Sequence, residues 1–101
     1  MTRNCVELSG RLLIEDSLRH TPAGIPILGL ILDHESVQLE AGHSRKVNVS
    51  VPCVAIGPVA ERAHHLGSGQ GVKVKGFLAA RKVNSRSVVL HITEIEIVED
   101  C

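Results

Sequence analysis

The sequence predicts an all-β protein, a small barrel of five strands with one short helix between the third and fourth strands. Three observations favour this fold. Apolar and polar residues alternate with a period of two along much of the chain, a single segment has a helical composition, and glycines interrupt the alternating runs. The chain has 101 residues, 44% of them hydrophobic, which predicts one domain over residues 1–101.

The first predicted strand covers residues 5–14. Apolar and polar residues alternate along it, and Gly10 interrupts the run where a strand of a small barrel bends to serve two sheets. Residues 15–24 are polar and predict a loop. We expect the loop to close in a turn, because Pro22 presets φ and Gly24 tolerates a positive φ.

The second predicted strand covers residues 25–35. It is apolar on both faces, which indicates cover on both sides, by the core and by a partner subunit. Residues 37–42 predict an excursion that ends in glycine. Residues 45–51 alternate cleanly and predict a third strand with one solvated face, which Pro52 ends or places at an edge. The solvated face carries Lys46 and Asn48.

The only helical composition lies at residues 58–66. Pro58 suits the first turn of a helix, and Gly67 suits the position after its end. Residues 67–71 are a glycine-rich loop. It is not a Walker phosphate-binding loop, because no Gly-Lys-Ser or Gly-Lys-Thr follows.

Two strands joined by a basic turn complete the chain. The fourth covers residues 72–80, residues 81–86 form the turn, and the fifth begins at Val88. The apolar phase changes between Ile92 and Ile95, which indicates a bulge or a strand buried on both sides. Five strands with a helix between the third and fourth are the layout of an OB-fold, a Greek-key barrel that commonly binds oligonucleotides. Another five-stranded barrel would give the same order of elements.

The charges are unevenly placed along a neutral chain. Eleven basic residues balance eleven acidic ones, which excludes a protein that coats nucleic acid by bulk charge. Between His43 and Thr93, however, the chain carries a net charge of +7, and a polyanion responds to such a local field. No apolar run is long enough for a membrane span and no signal peptide is visible, so we expect a cytoplasmic protein.

No motif in the sequence carries catalysis or binds a metal. The three cysteines are widely spaced without a CxxC pair, which predicts free thiols. The adjacent His64 and His65 point about 100° apart on a helix, and His34 and His91 lie in apolar strands, where a structural role is expected. We therefore predict no enzyme, no metal and no cofactor.

Several segments resemble the primosomal replication protein N (PriB) family of the single-stranded-DNA-binding superfamily, and the resemblance covers nearly all of the chain. It is carried by Leu8-Ser9-Gly10, TPAGIP at 21–26, LDHESVQLEAG at 32–42, GFLAARK at 76–82 and VLHITEIEIVE at 89–99. The resemblance implies an OB-fold homodimer without catalytic activity that acts in replication restart at stalled forks. Its implied partners are single-stranded DNA, the PriA helicase and a further primosome loader protein, and by binding DNA and PriA it helps to reload the replicative helicase.

The resemblance also implies where DNA is bound, namely on the face of the second and third strands and on the loop between the fourth and fifth. Lys82 matches a basic position of that loop, Arg45 a basic position entering the third strand, and Arg19 a basic position in the first loop. The candidate residues for nucleic-acid binding are Arg19, His43, Arg45, Lys46, Asn48, Arg81, Lys82 and Arg86.

This chain departs from the family pattern where bases would stack. His43 and Asn48 stand where better-known members carry aromatic residues, Glu35 replaces a basic residue, and one loop lysine is missing, for which Arg81 and Arg86 substitute. Because stacking contributes about 1–3 kcal/mol per base, losing two platforms lowers the affinity by about 100-fold or more. We expect weak, sequence-blind binding through charge, with a steep dependence on salt.

Two other functions fit the same sequence. A dimeric adaptor whose basic face docks on an acidic protein is favoured by the zero net charge and the single aromatic residue, Phe77. A general single-strand coating protein is disfavoured, because only residues 99–101 follow the last strand.

Phe77 has the strand parity of the exposed Lys73 and Lys75, but a bulge at Gly76 would reverse that parity. A lone phenylalanine predicts a place in the core rather than a platform for a base.

Overall fold

The computed structural model describes residues 2–98. The elements, in chain order, are β1 (Val6–Ile14), β2 (Arg19–His20), β3 (Pro26–Glu40), β4 (His43–Ile56), α1 (Pro58–Leu66), β5 (Gly71–Ala80) and β6 (Val88–Ile97). The five long strands and the helix are those predicted, and β2 is a two-residue strand inside the predicted first loop. Within residues 2–98, no helix is long and apolar enough to cross a membrane.

The five long strands close into a barrel in the order β1-β5-β6-β4-β3, which the pairing of β1 with β3 completes. This confirms the predicted OB-fold. β1 changes its pairing partner at Arg11, which pairs with Gly71 of β5 and with Asp33 of β3. The preceding Gly10 is the predicted bend, and a Cβ there would overlap the backbone oxygen of Asp33. Only glycine allows the two strands to approach so closely.

The core consists of the inward-facing residues of every long strand and two alanines of the helix. Alternate residues of β3 point inward, because side chains on a strand alternate between its faces. Ala60 and Ala63 are fully buried and pack α1 on the same cluster. The fully buried large side chains are Leu12, Leu28, Leu30, Leu32, Val72, Val74 and Leu90.

The β3–β4 hairpin is longer than the sequence predicts. The excursion predicted at residues 37–42 is wrong, because β3 continues to Glu40 and pairs there with His43. The strands are joined by Ala41 and Gly42, with φ of 50° and 81°. Two successive positive φ values form the two-residue turn whose twist matches that of the flanking strands.

Pro52 does not end the third long strand, which continues to Ile56. Pro52 pairs with Ile31 of β3, and β4 begins to pair with β6 only at the next residue, Cys53. Proline lacks an N–H group, so a strand tolerates it where one edge has no partner. The part of the prediction that placed Pro52 at a strand edge is consistent with this geometry.

The predicted bulge in the last strand is confirmed. Lys75 pairs with Glu94 and Gly76 with Ile92, so Thr93 is an extra residue on β6. The bulge buries both Ile92 and Ile95 and leaves the alternation along β5 unchanged. The core prediction for Phe77 is therefore wrong: its side chain is 39% exposed on the outer face of β5.

The two described cysteines are free thiols in opposite environments, as the spacing predicts for them. Cys5 is exposed and Cys53 is buried, while Cys101 lies outside the described residues. Burial raises the pKa of Cys53 to about 11, because the core disfavours the charged thiolate.

We expect one fast and one protected thiol in a Cys101→Ser variant treated with Ellman's reagent at pH 8. Cys5 should react at once, while Cys53 should react only in step with unfolding, because the thiolate is the nucleophile. Urea should release the second thiol, and a Cys53→Ala variant should lack the slow phase. Two equally fast thiols in the folded protein would contradict the burial of Cys53.

Candidate nucleic-acid interface

The outer parts of β3 and β4 form a two-stranded ribbon, residues 34–50, that leaves the barrel. Asp33 is the last β3 residue paired with β1, and β4 pairs with β6 only at Cys53–Ala55. Among residues 2–98, the ribbon strands pair only with each other, and the described part of the molecule measures 51 Å along its longest axis. Val37 and Leu39 are 67% and 77% exposed. A hairpin without a core of its own is marginal in water, so the ribbon is suited to contact another molecule.

The ribbon has two faces, and the predicted site residues are divided between them. Pairing of β3 with β4 is continuous from Ile27–Ile56 to Glu40–His43, so side chains alternate strictly along both strands. His43 and Arg45 lie on the face that continues the interior of the barrel. Lys46 and Asn48 lie on the outer face, as predicted. One surface therefore holds only two of the four ribbon candidates.

The two cations of the ribbon differ in their partners. The guanidinium of Arg45 donates to Glu40 Oε1 at 2.9 Å, which neutralises its charge. Lys46 is paired across the strands with Val37, and no carboxylate within residues 2–98 forms an ion pair with it. Lys46 is therefore the ribbon cation without an ion-pair partner among the described residues, on a face that also carries Glu35 opposite Asn48.

The loop between β5 and β6, residues 81–87, holds three more candidate cations. The Arg81 N–H donates to Ser87 O at 2.9 Å, and the Ser85 N–H donates to Lys82 O at 3.0 Å. Asn84 takes a φ of 63°, which asparagine tolerates better than most residues in a turn. These bonds are all between backbone groups, so the loop keeps its shape without its basic side chains. Arg81, Lys82 and Arg86 are exposed, and none forms an ion pair with a described residue.

The ribbon and the basic loop lie at the same end of the barrel. β6 runs parallel to β4, with Leu90 beside Cys53, so the loop that precedes Val88 lies on the side from which β4 enters. That side is where the ribbon leaves. Arg19 pairs with Ile27, which is about 33 Å along β3 from the middle of the ribbon. The structure therefore places Lys46 and Asn48 on the same side of the barrel as the loop, and it leaves Arg19 apart.

The positive segment of the sequence is partly neutralised on β5. Lys73 Nζ lies 3.2 Å from Glu7 and 3.3 Å from Glu96, and hydrogen bonds to both carboxylates raise the pKa of this lysine. Lys75 pairs across the sheet with Glu7 on one side and Glu94 on the other. Because β5 lies between two acidic strands, its lysines contribute little positive field.

Sequence reasoning missed a pair of stacked rings on the outer face of the barrel. The rings of Phe77 and His91 have centroids 4.9 Å apart and planes inclined by 8°. The signal was the parity of Phe77 with Lys73 and Lys75. His34 has the structural role predicted for it, since its ring nitrogens lie 2.7 Å from Ser9 O and 2.8 Å from Ser36 Oγ.

A closed five-stranded barrel with a projecting ribbon and a basic loop at one end defines the chain as an OB-fold protein. A family model described as "another single-strand binding protein family" matches residues 4–94. Among curated proteins, the replication restart protein PriB of Bordetella pertussis is 43% identical over 91 residues, which are 90% of this chain and 85% of that protein. The PriB of Nitrosomonas europaea is 37% identical over 98 residues, covering 97% of this chain and 91% of that protein.

Solved structures agree with these relatives. The structure of PriB from Ralstonia solanacearum superposes with a TM-score of 0.85 at 30% identity, over 97% of this chain and 100% of that one. The single-stranded DNA binding protein from Thermus aquaticus superposes with a TM-score of 0.75 at 29% identity, over 96% of this chain and 50% of that one. The chain therefore belongs to the PriB family of replication restart proteins.

Proposed function

We propose that this protein binds single-stranded DNA as an accessory protein of replication restart. The observation that carries the proposal is the grouping of Lys46 with Arg81, Lys82 and Arg86 at one end of the barrel, each without a carboxylate partner among the described residues. A single strand that crosses this end places its phosphates beside four exposed cations. Such contacts hold the backbone and read no sequence.

The binding is weak and depends on charge. The ribbon carries no aromatic side chain for a base, and His43 lies on the opposite face from Lys46. For single strands, each neutralised phosphate contributes about −0.7 to the slope of log K against log salt. Four contacts give a slope of about −2.8, which corresponds to a loss of about 50-fold in affinity between 50 and 200 mM salt.

Fluorescence anisotropy with labelled oligo-dT across a salt series tests the proposal. We expect a slope of about −2.8 for the natural protein and about −2.1 for a Lys46→Ala variant, because one phosphate contact is lost. Arg45→Ala removes the same charge from the next residue, but its guanidinium is already paired with Glu40, so the slope should stay within experimental error.

Three outcomes would contradict the proposal. Tight binding that hardly changes with salt would mean that contacts other than phosphate contacts dominate. No binding even at low salt would leave the protein-interaction adaptor as the function of this barrel. Equal effects of Lys46→Ala and Arg45→Ala would show that the two faces of the ribbon do not differ in the way proposed here.

The finer parts of the proposal are a homodimer and a helicase partner. The edge of β1 at Val6–Gly10 that faces away from β5 has no strand partner in the described chain, and such an edge is a template for a second copy. Sedimentation at micromolar concentration tests the dimer. The family resemblance supports PriA as the helicase, and stimulation of PriA unwinding on forked DNA tests that partner.

A further inference from the structure

A shallow cleft on the outer face of the barrel lies beside the stacked rings of Phe77 and His91. His91 pairs with Phe77 of β5 on one side and with Val54 of β4 on the other, so these three side chains form a row across the sheet. The cleft has a volume of about 470 Å³. Its lining is Val54, Ile56, Pro58, Val59, Phe77, His91, Ile92 and Thr93, without an acidic residue.

Phe77 is the exposed member of this row, since His91 and Val54 are half-buried. Phe77 is the only aromatic residue of the chain, and burying a phenylalanine side chain contributes about 1.5–3 kcal/mol to stability. Alternation along β5 places Phe77 on the solvent side, where it is 39% exposed, and its ring stacks on the ring of His91. The parallel stack fixes the orientation of both rings before any partner arrives.

We infer that the Phe77–His91 pair is a stacking platform for an unpaired nucleobase, and this inference rests on the proposed binding of single-stranded DNA. Base stacking on aromatic rings accepts every base, because each base has a π-face. The platform supplies the stacking contact that the ribbon, with Asn48 and His43 at the expected positions, does not.

The position of the platform favours a nucleobase over a protein segment. Phe77 lies four residues before Arg81, about 13 Å along β5, so a strand held by the basic loop passes within reach of the rings. Val54 lies on the same outer face of β4 as Lys46 and Asn48, because the register between β3 and β4 has no break. The platform therefore lies on the same outer surface as Lys46, about 26 Å along β4 from it, and closer to the basic loop.

Oligo-dT binding by a Phe77→Leu variant tests the inference, since leucine keeps the apolar bulk and removes the ring. We expect about a tenfold loss of affinity at every salt concentration with an unchanged salt slope, because no phosphate contact is lost. A Lys82→Ala variant should show the opposite pattern, a shallower slope. An abasic strand of equal length should bind the natural protein and the Phe77→Leu variant equally.

A second measurement does not depend on the stability of the leucine variant. The chain has no tryptophan and no tyrosine, so a Phe77→Trp variant has a single indole. We expect oligo-dT to quench its fluorescence and the abasic strand to leave it unchanged. An unquenched indole in a variant that binds oligo-dT would overturn the inference.

The outcomes separate the two proposals. If Phe77→Leu binds oligo-dT as the natural protein does while Lys82→Ala binds it more weakly, the platform is refuted and the proposed function stands. If Phe77→Leu retains DNA binding and loses only the stimulation of a helicase, the cleft is a protein contact and the inference is wrong. If the natural protein binds no oligo-dT at any salt concentration, both proposals fail together.

Discussion

Replacing Arg81, Lys82 and Arg86 together with alanine is expected to lower the affinity for oligo-dT about 500-fold at 50 mM salt. Three lost phosphate contacts reduce the magnitude of the slope of log K against log salt by about 2.1. Taking equal affinities of the two proteins at 1 M salt, this difference in slope gives a difference in affinity of about 500-fold at 50 mM salt. The slope itself should fall from about −2.8 to about −0.7. Fluorescence anisotropy measures both quantities, and the loop keeps its shape because backbone bonds close it.

A matched variant separates the position of the charges from their number. Arg19→Ala, Arg62→Ala and Lys73→Ala together remove the same three charges from other parts of the barrel. We expect a loss of less than about tenfold, because Arg19 pairs with Ile27, and Arg62 and Lys73 contact Ile95 and Glu96 at the end of β6 opposite the basic loop. Equal losses in the two triple variants would show that the net charge of the protein, rather than the grouping at one end, drives binding.

Gly76→Ala is expected to cost about 3–5 kcal/mol of the free energy of unfolding, a large share of the stability of a domain this size. A Cβ at Gly76 would overlap the backbone oxygen of His91 across the bulge. Because the obstructing atom belongs to the backbone, relief requires β5 and β6 to separate, and that pair helps to close the barrel. Urea unfolding followed by far-ultraviolet circular dichroism measures the loss.

Gly42→Ala is the control for an ordinary glycine replacement. Gly42 takes a φ of 81°, but no atom of the described residues lies within 4 Å of an added Cβ, so only the backbone conformation is strained. The expected cost is about 1–2 kcal/mol. If Gly76→Ala were no more destabilising than Gly42→Ala, the close approach of the two strands at the bulge would be wrong.

Most of the fold was predictable because its signals are local. A period of two marks the strands, Pro58 and Gly67 bracket the helix, and the phase change near Ile95 marks the bulge. The errors concern long-range pairing. The segment Val37–Glu40 was predicted to be irregular because its pairing with β4 is not visible in the sequence. Pro52 would end β4 only if the strand had hydrogen-bonded partners on both of its edges at that residue.

The candidate site was predictable only as a set of residue types. The sequence distinguishes a basic turn at residues 81–86, and the structure places it in an exposed loop. The sequence does not show that Arg45 is neutralised by Glu40, nor that Lys73 lies between two glutamates. Those partners are five or more residues away along the chain, so only the pairing of strands reveals them.

By itself, the sequence determined the strands, the helix and the segment that carries most of the positive charge, since alternation and composition are properties of neighbouring residues. Barrel closure alone decided which cations share a surface. The parallel pairing of β6 with β4 brings the basic loop to the side of the barrel where the ribbon leaves, and the acidic neighbours of β5 cancel its lysines. Each of these depends on contacts between residues distant in sequence, where local periodicity carries no information.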